Sequence, residues 1–571
     1  MKVKKILLFC LPFIASAAML TVIQPPISWA PLAWVSLVPF ILACSPKTKP
    51  KPLALAAYIV SFCYWLGNLY WIGPVTWLGW LAFCLYTALL WPILALGLRY
   101  CRIKRIPLFL AVPVLVVGVE NLQGLFLGGF FWRFLAHSQY ANITLIQIAD
   151  IFGAAGLSFL IAMVNGLAAE LIIAAREKAL FKVSNFLKTA LVCLAIIFTV
   201  SYGRWRLNES DKFIETGPLV ASLQSNVPQS VKQSFEASDV MFDELLQASY
   251  ESAKAGAELI VWPETMVQAV LDPRVLMLLE SSHVYRIFDE ALKEHSADTA
   301  FVLVGAYGGR PQIQENFDIK LVQRYNSAFL YQPDGTQAAR QYSKIHLVPF
   351  GEFVPFRKSF PLLYKLLMIF TPYDYDYSID AGTEYTVFEM TGVKDQEPQV
   401  YKFGVMICYE DSVPAIARRF AKTRHGVKNL HWLINISNDG WFVRFKNGKV
   451  FPSAELSQHT AVCVFRTVEN RLAVLRSVNT GISCLIDTLG RLQNGFITGT
   501  LPRQAMARAG MAGWLIDRVP IDKRVTFFSK YGQWLDFCCV ACFVLLIIVP
   551  IWERFSRNRN IRGRQNDKHA I

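Results

Sequence analysis

Three side chains that could cooperate in nucleophilic catalysis lie at or beside apolar, strand-like segments. Cys408 and Glu264 each follow a short apolar run, and Lys344 lies in the largely apolar stretch 342–356. Functional side chains of α/β proteins commonly lie at the carboxyl ends of strands. A neutral thiol is a weak nucleophile, so it needs a proton acceptor and a nearby cation. Taken singly, the cysteine is typical of core packing and each charge is typical of a surface; together they are candidates for catalysis through a thiol.

The segment 204–530 predicts an α/β domain that would position these side chains. Helical stretches are predicted at 236–256, 284–295 and 454–471. The predicted strands are 219–223, 259–262, 301–304, 327–331, 402–408, 432–437, 473–477 and 482–487. Strands that alternate with helices indicate a layered sheet covered by helices.

The rest of the chain predicts a membrane protein. Hydrophobic residues make up 54% of the chain and charged residues only 17%, against about 25% in ordinary soluble domains. Long runs almost free of charge lie at 6–23, 31–45, 53–72, 76–98, 107–125, 153–174, 187–203 and 533–551. Most of them approach the ~20 residues that cross a bilayer as a helix. The first run is longer than the core of a usual signal peptide, which favours a retained helix.

Basic residues predict the orientation of these runs. With the N-terminus inside, the cytoplasmic segments carry 20 Lys and Arg, whereas the short segments on the other side carry only Arg133. Eight crossings would leave both termini in the cytoplasm and residues 204–530 outside. The predicted units are a seven-helix bundle (1–203), an extracytoplasmic domain (204–530), a C-terminal membrane helix (531–552) and a basic cytoplasmic tail (553–571).

The net charge of +15 does not indicate a nucleic-acid partner. Residues 204–530 contain 36 Lys and Arg and 35 Asp and Glu, so the excess lies in the cytoplasmic loops and the tail. Nucleic-acid binding would require a basic face on a folded domain.

The twelve cysteines do not predict a disulfide framework, because nine lie in or beside the apolar runs. Cys463 and Cys484 lie in the exported segment, where an oxidising compartment leaves their pairing open. The sequence has no CxxC or HExxH spacing, and His346, His431 and His459 are interpreted as structural or hydrogen-bonding residues. We therefore predict neither a metal nor a cofactor.

The order and flanks of Glu264, Lys344 and Cys408 resemble the nitrilase, or carbon–nitrogen hydrolase, superfamily. With the preceding membrane runs, the chain resembles the apolipoprotein N-acyltransferase family in particular. The strings that carry the resemblance are Leu223–Ser230 (LQSNVPQS), Val261–Glu264 (VWPE), Lys344–Phe356 (KIHLVPFGEFVPF), Ile407–Asp411 (ICYED), Ser437–Phe442 (SNDGWF) and Asn479–Gly481 (NTG). The resemblance extends over almost the whole chain and is weakest in the first 120 residues and the tail.

The resemblance implies the fold and the roles of particular residues. The fold would be an integral membrane α-helical bundle of eight helices with an extracytoplasmic nitrilase-like α-β-β-α sandwich domain. Glu264 would be the general base, Lys344 would stabilise the thiolate and the oxyanion, and Cys408 would be the nucleophile. The supporting residues would be Glu352, Glu410 and Tyr409, whose backbone N–H is the second oxyanion donor. The substrate-binding residues would be Trp262, Phe350, Phe353, Phe356 and Asn438.

The resemblance also implies a two-step reaction in the bacterial inner membrane. Cys408 would take an acyl chain from a phospholipid, with phosphatidylethanolamine as the expected donor, and form a thioester. The N-terminal amine of diacylglyceryl-cysteine on an apolipoprotein would then attack it, which is the last step of lipoprotein maturation. The catalytic domain would face the periplasm.

The strongly apolar segment 350–370 has two interpretations. It could be an arm that reaches into the outer leaflet and closes over the thioester, or it could pack in the core. Two other functions are open. A membrane-anchored amidase or nitrilase could use the same triad on a small amide, although such a substrate needs no eight-helix anchor. A transporter with an inactive outer domain would require intramembrane charges, of which Glu120 and Glu170 are the candidates.

Overall fold

The computed structural model describes residues 2–125, 128–232, 235–314, 319–357, 359–371, 375–394, 397–424, 426–546 and 548–549. The predicted tail 553–571 lies outside this range. The N-terminal part is helical. Its helices are α1 (Lys2–Val22), α2 (Val38–Ala43), α3 (Pro50–Asn68), α4 (Trp77–Thr87), α5 (Leu90–Ile103), α6 (Leu108–Leu125), α7 (Ile143–Ile146), α8 (Ala149–Phe152), α9 (Ala154–Arg176) and α10 (Val183–Asn208).

Every apolar run that the sequence indicates contains a helix among the described residues. Among the described residues, three helices are long and apolar enough to cross a membrane: Trp77–Ile103, Ala154–Arg176 and Val183–Lys212. The other runs correspond to shorter apolar helices or, for 53–72, to α3. The run 76–98 divides into α4 and α5, and α10 continues past residue 203 to Asn208.

Small residues and buried amides hold the helices together. A Cβ on Gly166 of α9 would lie 2.3 Å from the carbonyl oxygen of Leu108, so α6 and α9 approach closely at this point. Asn165 accepts a hydrogen bond from the backbone N–H of Leu37 at 2.8 Å and donates to the carbonyl of Ala33 at 2.9 Å. These bonds satisfy backbone groups where the run 31–45 changes from a 3₁₀ turn (Ala30–Trp34) to α2.

Two β-sheets form the middle of the second part. The strands are β1 (Ile214–Gln224), β2 (Leu259–Val261), β3 (Phe301–Ile313), β4 (Ile319–Tyr331), β5 (Tyr342–Ser343), β6 (Val387–Lys394), β7 (Glu397–Ile407), β8 (Thr423–Arg424), β9 (Val427–Lys428), β10 (Trp432–Ser437), β11 (Arg444–Lys446), β12 (Lys449–Phe451), β13 (Ala473–Val478), β14 (Cys484–Ile486), β15 (Thr498–Gly499) and β16 (Gly513–Asp522). One sheet has the order β15-β16-β1-β2-β3-β4-β5 and the other β14-β13-β10-β7-β6. The pairs β1–β2, β2–β3, β7–β10 and β10–β13 are parallel.

Alternating side chains build a four-layer sandwich. Along β2, Leu259 and Val261 join the core between the two sheets, whereas Ile260 joins the core under the outer helices. The helices of this part are α11 (Gln229–Lys232), α12 (Phe235–Lys254), α13 (Pro273–Leu276), α14 (Val284–Asp298), α15 (Pro361–Leu367), α16 (Pro414–Phe420), α17 (Ala454–Asn470) and α18 (Phe527–Tyr531). Residues of α12 and α14 cover the first sheet, and residues of α16 and α17 pack with the second. Helix α19 (Trp534–Leu546) follows.

The helical part and the sandwich share a buried ion-pair network. Arg471 is fully buried, and its guanidinium lies 2.7 Å from Asp150 of α8 and donates to Gln147 at 2.6 Å. Arg206, near the end of α10, binds the same Asp150 oxygen at 2.7 Å. Removing one partner would leave an uncompensated buried charge. This network therefore fixes the sandwich on the helices.

Candidate active site

The three predicted catalytic residues are positioned by strand ends. Glu264 lies three residues after β2, Lys344 directly follows β5, and Cys408 directly follows β7. The first two belong to one sheet and Cys408 belongs to the other. Packing the two sheets face to face therefore brings together residues that are 144 positions apart in the chain.

Lys344 lies between two carboxylates. Its Nζ is 3.6 Å from Glu264 Oε1 and 2.8 Å from Glu352, and its side chain is 1% exposed. Burial lowers the pKa of Lys344. Glu352, Cys408 and Glu264 together raise the pKa by more than burial lowers it, so it lies above its ordinary value. The ammonium is therefore a fixed positive charge beside the thiol.

Cys408 is held in a strained backbone conformation at the start of a 3₁₀ turn (Cys408–Ser412). Its φ is +54°, in the left-handed region that non-glycine residues seldom adopt, and its carbonyl accepts a hydrogen bond from Asn435 at 3.0 Å. Burial and Glu264 raise the pKa of the Cys408 thiol, while Lys344 lowers it, and the net shift is upward. This environment therefore favours the neutral thiol, which would have to lose its proton in order to act as a nucleophile.

Glu410 ties the cysteine segment to the lysine segment. One carboxylate oxygen accepts from the backbone N–H groups of Ile345 and His346, and the other accepts from Ile407 N–H and from the hydroxyl of Tyr342 at 2.8 Å. Burial raises the pKa of Glu410 to about 7, against these donors, which lower it. With two bonds at each oxygen, Glu410 fixes the spacing of Lys344 and Cys408.

Tyr409 connects the site to the helical part. Its hydroxyl accepts a hydrogen bond from Phe131 N–H at 2.8 Å, and its ring stacks on Trp132 at 6.3 Å. Trp132 also donates to Gln458 of α17 at 2.8 Å. The residue after the cysteine thus contacts the loop that precedes α7, so the site lies beside the helical part.

The five predicted substrate-binding residues lie in different environments. Phe350, Phe353 and Phe356 are partly or largely exposed on the segment after Lys344, as a surface open to a ligand requires. Asn438 is 2% exposed; its backbone N–H donates to Glu264 at 2.7 Å and its amide is bonded to Gln229 and Asn479. Asn438 therefore positions Glu264.

Trp262 lies in the core under α12. It is fully buried, packs against Phe242 and donates to the hydroxyl of Ser249 at 3.3 Å. The strand alternation accounts for this placement, because Trp262 directly follows β2 and joins the same helix-facing core as Ile260. The structure thus places Trp262 in the core rather than on a surface that a substrate could reach.

Two buried residues of the site were not predicted from the sequence. Asn326 of β4 donates to Glu264 at 2.6 Å and to Glu352 at 3.2 Å, so one amide holds both carboxylates. Lys232 donates to Thr265 Oγ1 at 2.6 Å and to the Glu264 carbonyl at 3.3 Å. The sequence gives no distinctive signal for either: Asn326 lies near the polar residues Arg324 and Ser327, and Lys232 resembles any helical lysine.

His459 belongs to a buried network behind Cys408. Its ring nitrogens lie 2.7 Å from Asp411 and 3.3 Å from Asp439, as expected for a hydrogen-bonding histidine. Burial lowers the pKa of His459, but the two carboxylates raise it well above its usual range. Among the described residues, Asp439, Glu455 and His459 are the one group close enough to share a metal ion. Arg476 lies 3.9 Å from Asp439 and already supplies positive charge there.

We expect the substitution Asn326→Leu to slow turnover about 10- to 100-fold, because both carboxylates lose the donor that fixes them. The substrate KM should change much less than kcat, since Asn326 is 5% exposed and buried behind the carboxylates. Steady-state kinetics of the purified chain test this. The variant Asn470→Leu, which removes a buried amide from the end of α17, is the control for general destabilisation; an equal loss of kcat in both variants would contradict a specific role.

Comparison with known proteins matches both parts of the chain. A family model described as apolipoprotein N-acyltransferase N-terminal domain matches residues 16–167, and the carbon-nitrogen hydrolase model matches residues 219–500. The chain is similar to a protein named apolipoprotein N-acyltransferase from Geobacter metallireducens, with 31% identity over 92% of each chain. It is also similar to apolipoprotein N-acyltransferase 1 from Treponema denticola, with 26% identity over 93% of each chain.

These matches agree with the resemblance in the sequence strings and extend from the helical part through the sandwich. An identity of 31% over nearly the whole length identifies the family of the chain as well as its fold. The chain belongs to the apolipoprotein N-acyltransferase family and contains a nitrilase-like carbon–nitrogen hydrolase domain.

Proposed function

We propose that this enzyme transfers an acyl chain from a membrane phospholipid to the N-terminal amine of diacylglyceryl-cysteine on apolipoproteins. The observation that carries the proposal is the position of the Glu264–Lys344–Cys408 group directly beside the apolar helices, through Tyr409 and Trp132. Substrates that are themselves anchored in a bilayer would reach the thiol from that side. Phosphatidylethanolamine is the expected donor.

In the first half-reaction, Cys408 Sγ attacks the ester carbonyl of the phospholipid while Glu264 accepts the thiol proton. The ammonium of Lys344 and the backbone N–H of Tyr409 stabilise the oxyanion that forms. The C–O bond then breaks, the leaving alkoxide takes the proton from Glu264, and a lysophospholipid departs. An acyl thioester remains on Cys408.

In the second half-reaction, the lipoprotein amine attacks the thioester carbonyl. Glu264 accepts a proton from the amine, the C–S bond breaks, and the proton returns to the cysteine sulfur. Glu352 and Glu410 take the supporting roles, because they hold Lys344 and the cysteine segment in place.

We infer the orientation of the protein in the membrane from the distribution of its basic residues and the positions of its apolar helices. We infer eight crossings in the bacterial inner membrane, with both termini cytoplasmic and the catalytic domain in the periplasm. The units are the bundle 1–203, the catalytic domain 204–530, the C-terminal helix 531–552 and the basic tail 553–571. The ion pairs of Arg471 with Asp150 would then hold the domain against the outer surface of the bundle.

The segment 350–370 is proposed to be the arm that admits lipid. Helix α15 has no buried residue; Leu362 is 85% exposed and Phe360 61%. The hydroxyl of Thr76, which caps α4, donates to the Phe370 carbonyl at 3.0 Å and fixes the end of the arm on the helices. Such a cluster of exposed apolar side chains is more stable in contact with lipid than in contact with water.

We expect Phe353→Asp and Phe356→Asp each to lower kcat/KM for a phospholipid donor at least about tenfold, because a carboxylate resists transfer into the hydrocarbon layer. The fold should survive, since both side chains are partly or largely exposed. The control is Ile313→Asp, an exposed apolar residue on the β3–β4 hairpin. If both arm variants are well folded and have the wild-type kcat/KM for the phospholipid donor, the proposal that this segment admits lipid would be contradicted.

The proposal is tested by following both products in proteoliposomes. Purified enzyme, phosphatidylethanolamine with labelled acyl chains and a synthetic diacylglyceryl-cysteine peptide should give N-acylated peptide and lysophospholipid in equal amounts. Blocking the peptide amine by acetylation should stop net transfer. Absence of N-acylated peptide, together with hydrolysis of short aliphatic amides, would instead identify a membrane-anchored amidase.

A further inference from the structure

A short hairpin that begins six residues after Asn438 carries only basic charges. Strands β11 and β12 pair Arg444 with Phe451 and Lys446 with Lys449 around a two-residue turn, Asn447–Gly448, whose φ angles are +51° and +71°. We call Arg444–Phe451 the basic hairpin. It has three cations and no acidic residue, and the chain has none between Asp439 and Glu455.

The basic hairpin exposes both its charges and its aromatic rings. All three cations are exposed, and Phe445 and Phe451 are 45% and 52% exposed. Rings that are about half exposed on a two-stranded hairpin bury little apolar surface, so they contribute little to folding. Exposed aromatic and basic side chains in one small element are typical of a docking surface.

The base of the hairpin packs on the turn that follows α3. Phe442, two residues before β11, contacts the ring of Trp71 edge-to-face at 4.9 Å, and the Arg444 guanidinium lies 5.9 Å from the ring of Tyr70. Tyr70 and Trp71 form the 3₁₀ turn (Tyr70–Ile72) that follows α3. The opposite end of α3 begins next to Lys49. In the proposed orientation, the hairpin therefore lies at the periplasmic surface of the membrane.

A line of aromatic contacts connects the hairpin to the catalytic cysteine. Trp71 lies 5.9 Å from Trp132, which in turn stacks on Tyr409 at 6.3 Å. Tyr409 directly follows Cys408. Lipid headgroups bound by the hairpin would therefore lie on the side of the site that contacts the helical part.

We propose that the basic hairpin binds the headgroups of anionic phospholipids at the membrane surface, on the side of the site that contacts the helical part. Cations attract anionic headgroups, each contributing about a fivefold gain in binding, and aromatic rings are stable at headgroup level. An acidic peptide would match the cations as well, but the position at the end of α3 favours the lipid. The inference rests on the membrane placement in the proposed function and deepens it.

The test uses full-length protein carrying Cys408→Ala, so that lipid binding is measured without turnover. Protein in mixed micelles of phosphatidylcholine and phosphatidylglycerol is analysed by native mass spectrometry, and the bound lipids are counted. We expect the triple substitution Arg444→Gln, Lys446→Gln and Lys449→Gln to lower phosphatidylglycerol retention at least about fivefold. Salt at 0.5 M should remove the additional phosphatidylglycerol that the parent protein retains relative to the triple variant, because salt shortens the screening length.

The matched control neutralises three exposed cations elsewhere in the catalytic domain, Lys254, Lys320 and Arg340. This variant should retain phosphatidylglycerol like the parent. Equal retention in the hairpin and control variants would overturn the inference. Unchanged lipid retention with weaker binding of an acidic diacylglyceryl-cysteine peptide would also overturn it and would identify a peptide surface. Neither result depends on whether the chain has transferase activity.

Discussion

The substitution Glu264→Gln should abolish acyl transfer while making Cys408 easier to alkylate. Loss of the general base should slow turnover by about 10³-fold. The Glu264 carboxylate raises the pKa of the Cys408 thiol and Lys344 lowers it. Removing the negative charge therefore increases the thiolate fraction at pH 8. Initial rates of transfer and of iodoacetamide labelling, measured on the same preparation, test both effects.

The fold has a way to accommodate the new amide. Asn326 Oδ1 has no hydrogen-bond partner among the residues that the structure describes, so the Asn326 amide can turn and accept a bond from the substituted side chain. Labelling of Cys408→Ala gives the background from other cysteines, of which Cys63, Cys193, Cys538 and Cys542 are exposed. Slower labelling of Cys408 in the Glu264→Gln variant would contradict the electrostatic role assigned to Glu264.

The substitution Lys344→Met should lower both turnover and stability. The oxyanion loses its charged donor, which we expect to slow turnover by about 10²- to 10³-fold. Glu264 and Glu352 would remain buried without their shared cation, at a cost of about 3–5 kcal/mol in the free energy of unfolding. Kinetics and thermal unfolding of the detergent-solubilised chain measure the two effects.

The double variant Lys344→Met with Glu352→Gln separates the two contributions. Removing one of the two unpaired carboxylates should restore part of the lost stability, because a neutral amide is cheaper to bury than a charge. Turnover should stay as low as in the single variant. Recovery of turnover together with stability would show that Lys344 acts only through the fold.

The sequence predicted eight of the sixteen strands that the structure describes, because each of these eight contains a short buried apolar run. The prediction for 432–437 coincides with β10, and the helix predicted at 454–471 is α17 (Ala454–Asn470). Strand β16 was not predicted, although it pairs with β1 in the first sheet. Its Arg518 and Pro520 interrupt the apolar pattern, so only the tertiary pairing identifies it as a strand.

The sequence predicted those residues of the candidate site whose side chains are themselves reactive or charged and lie in distinctive sequence strings. Glu264, Lys344 and Cys408 lie in strings with specific flanks, and the sheets bring them together. The positions of Trp262 and Asn326 depend on which side of a strand packs against which layer. Short strands such as β2, with three residues, do not establish that side from the sequence. The aromatic contacts between the helices and Tyr409 are likewise tertiary.

The central claim is a thioester on Cys408, and intact-protein mass spectrometry tests it most directly. Wild-type protein and the Cys408→Ala variant are purified from membranes in detergent with added phosphatidylethanolamine. Their intact masses are measured before and after treatment with neutral hydroxylamine. We expect an adduct of one acyl chain on wild type only, removed by hydroxylamine and transferred when a diacylglyceryl-cysteine peptide is added. A folded wild-type protein without an adduct across several phospholipid donors, or an equal adduct on Cys408→Ala, would contradict the account.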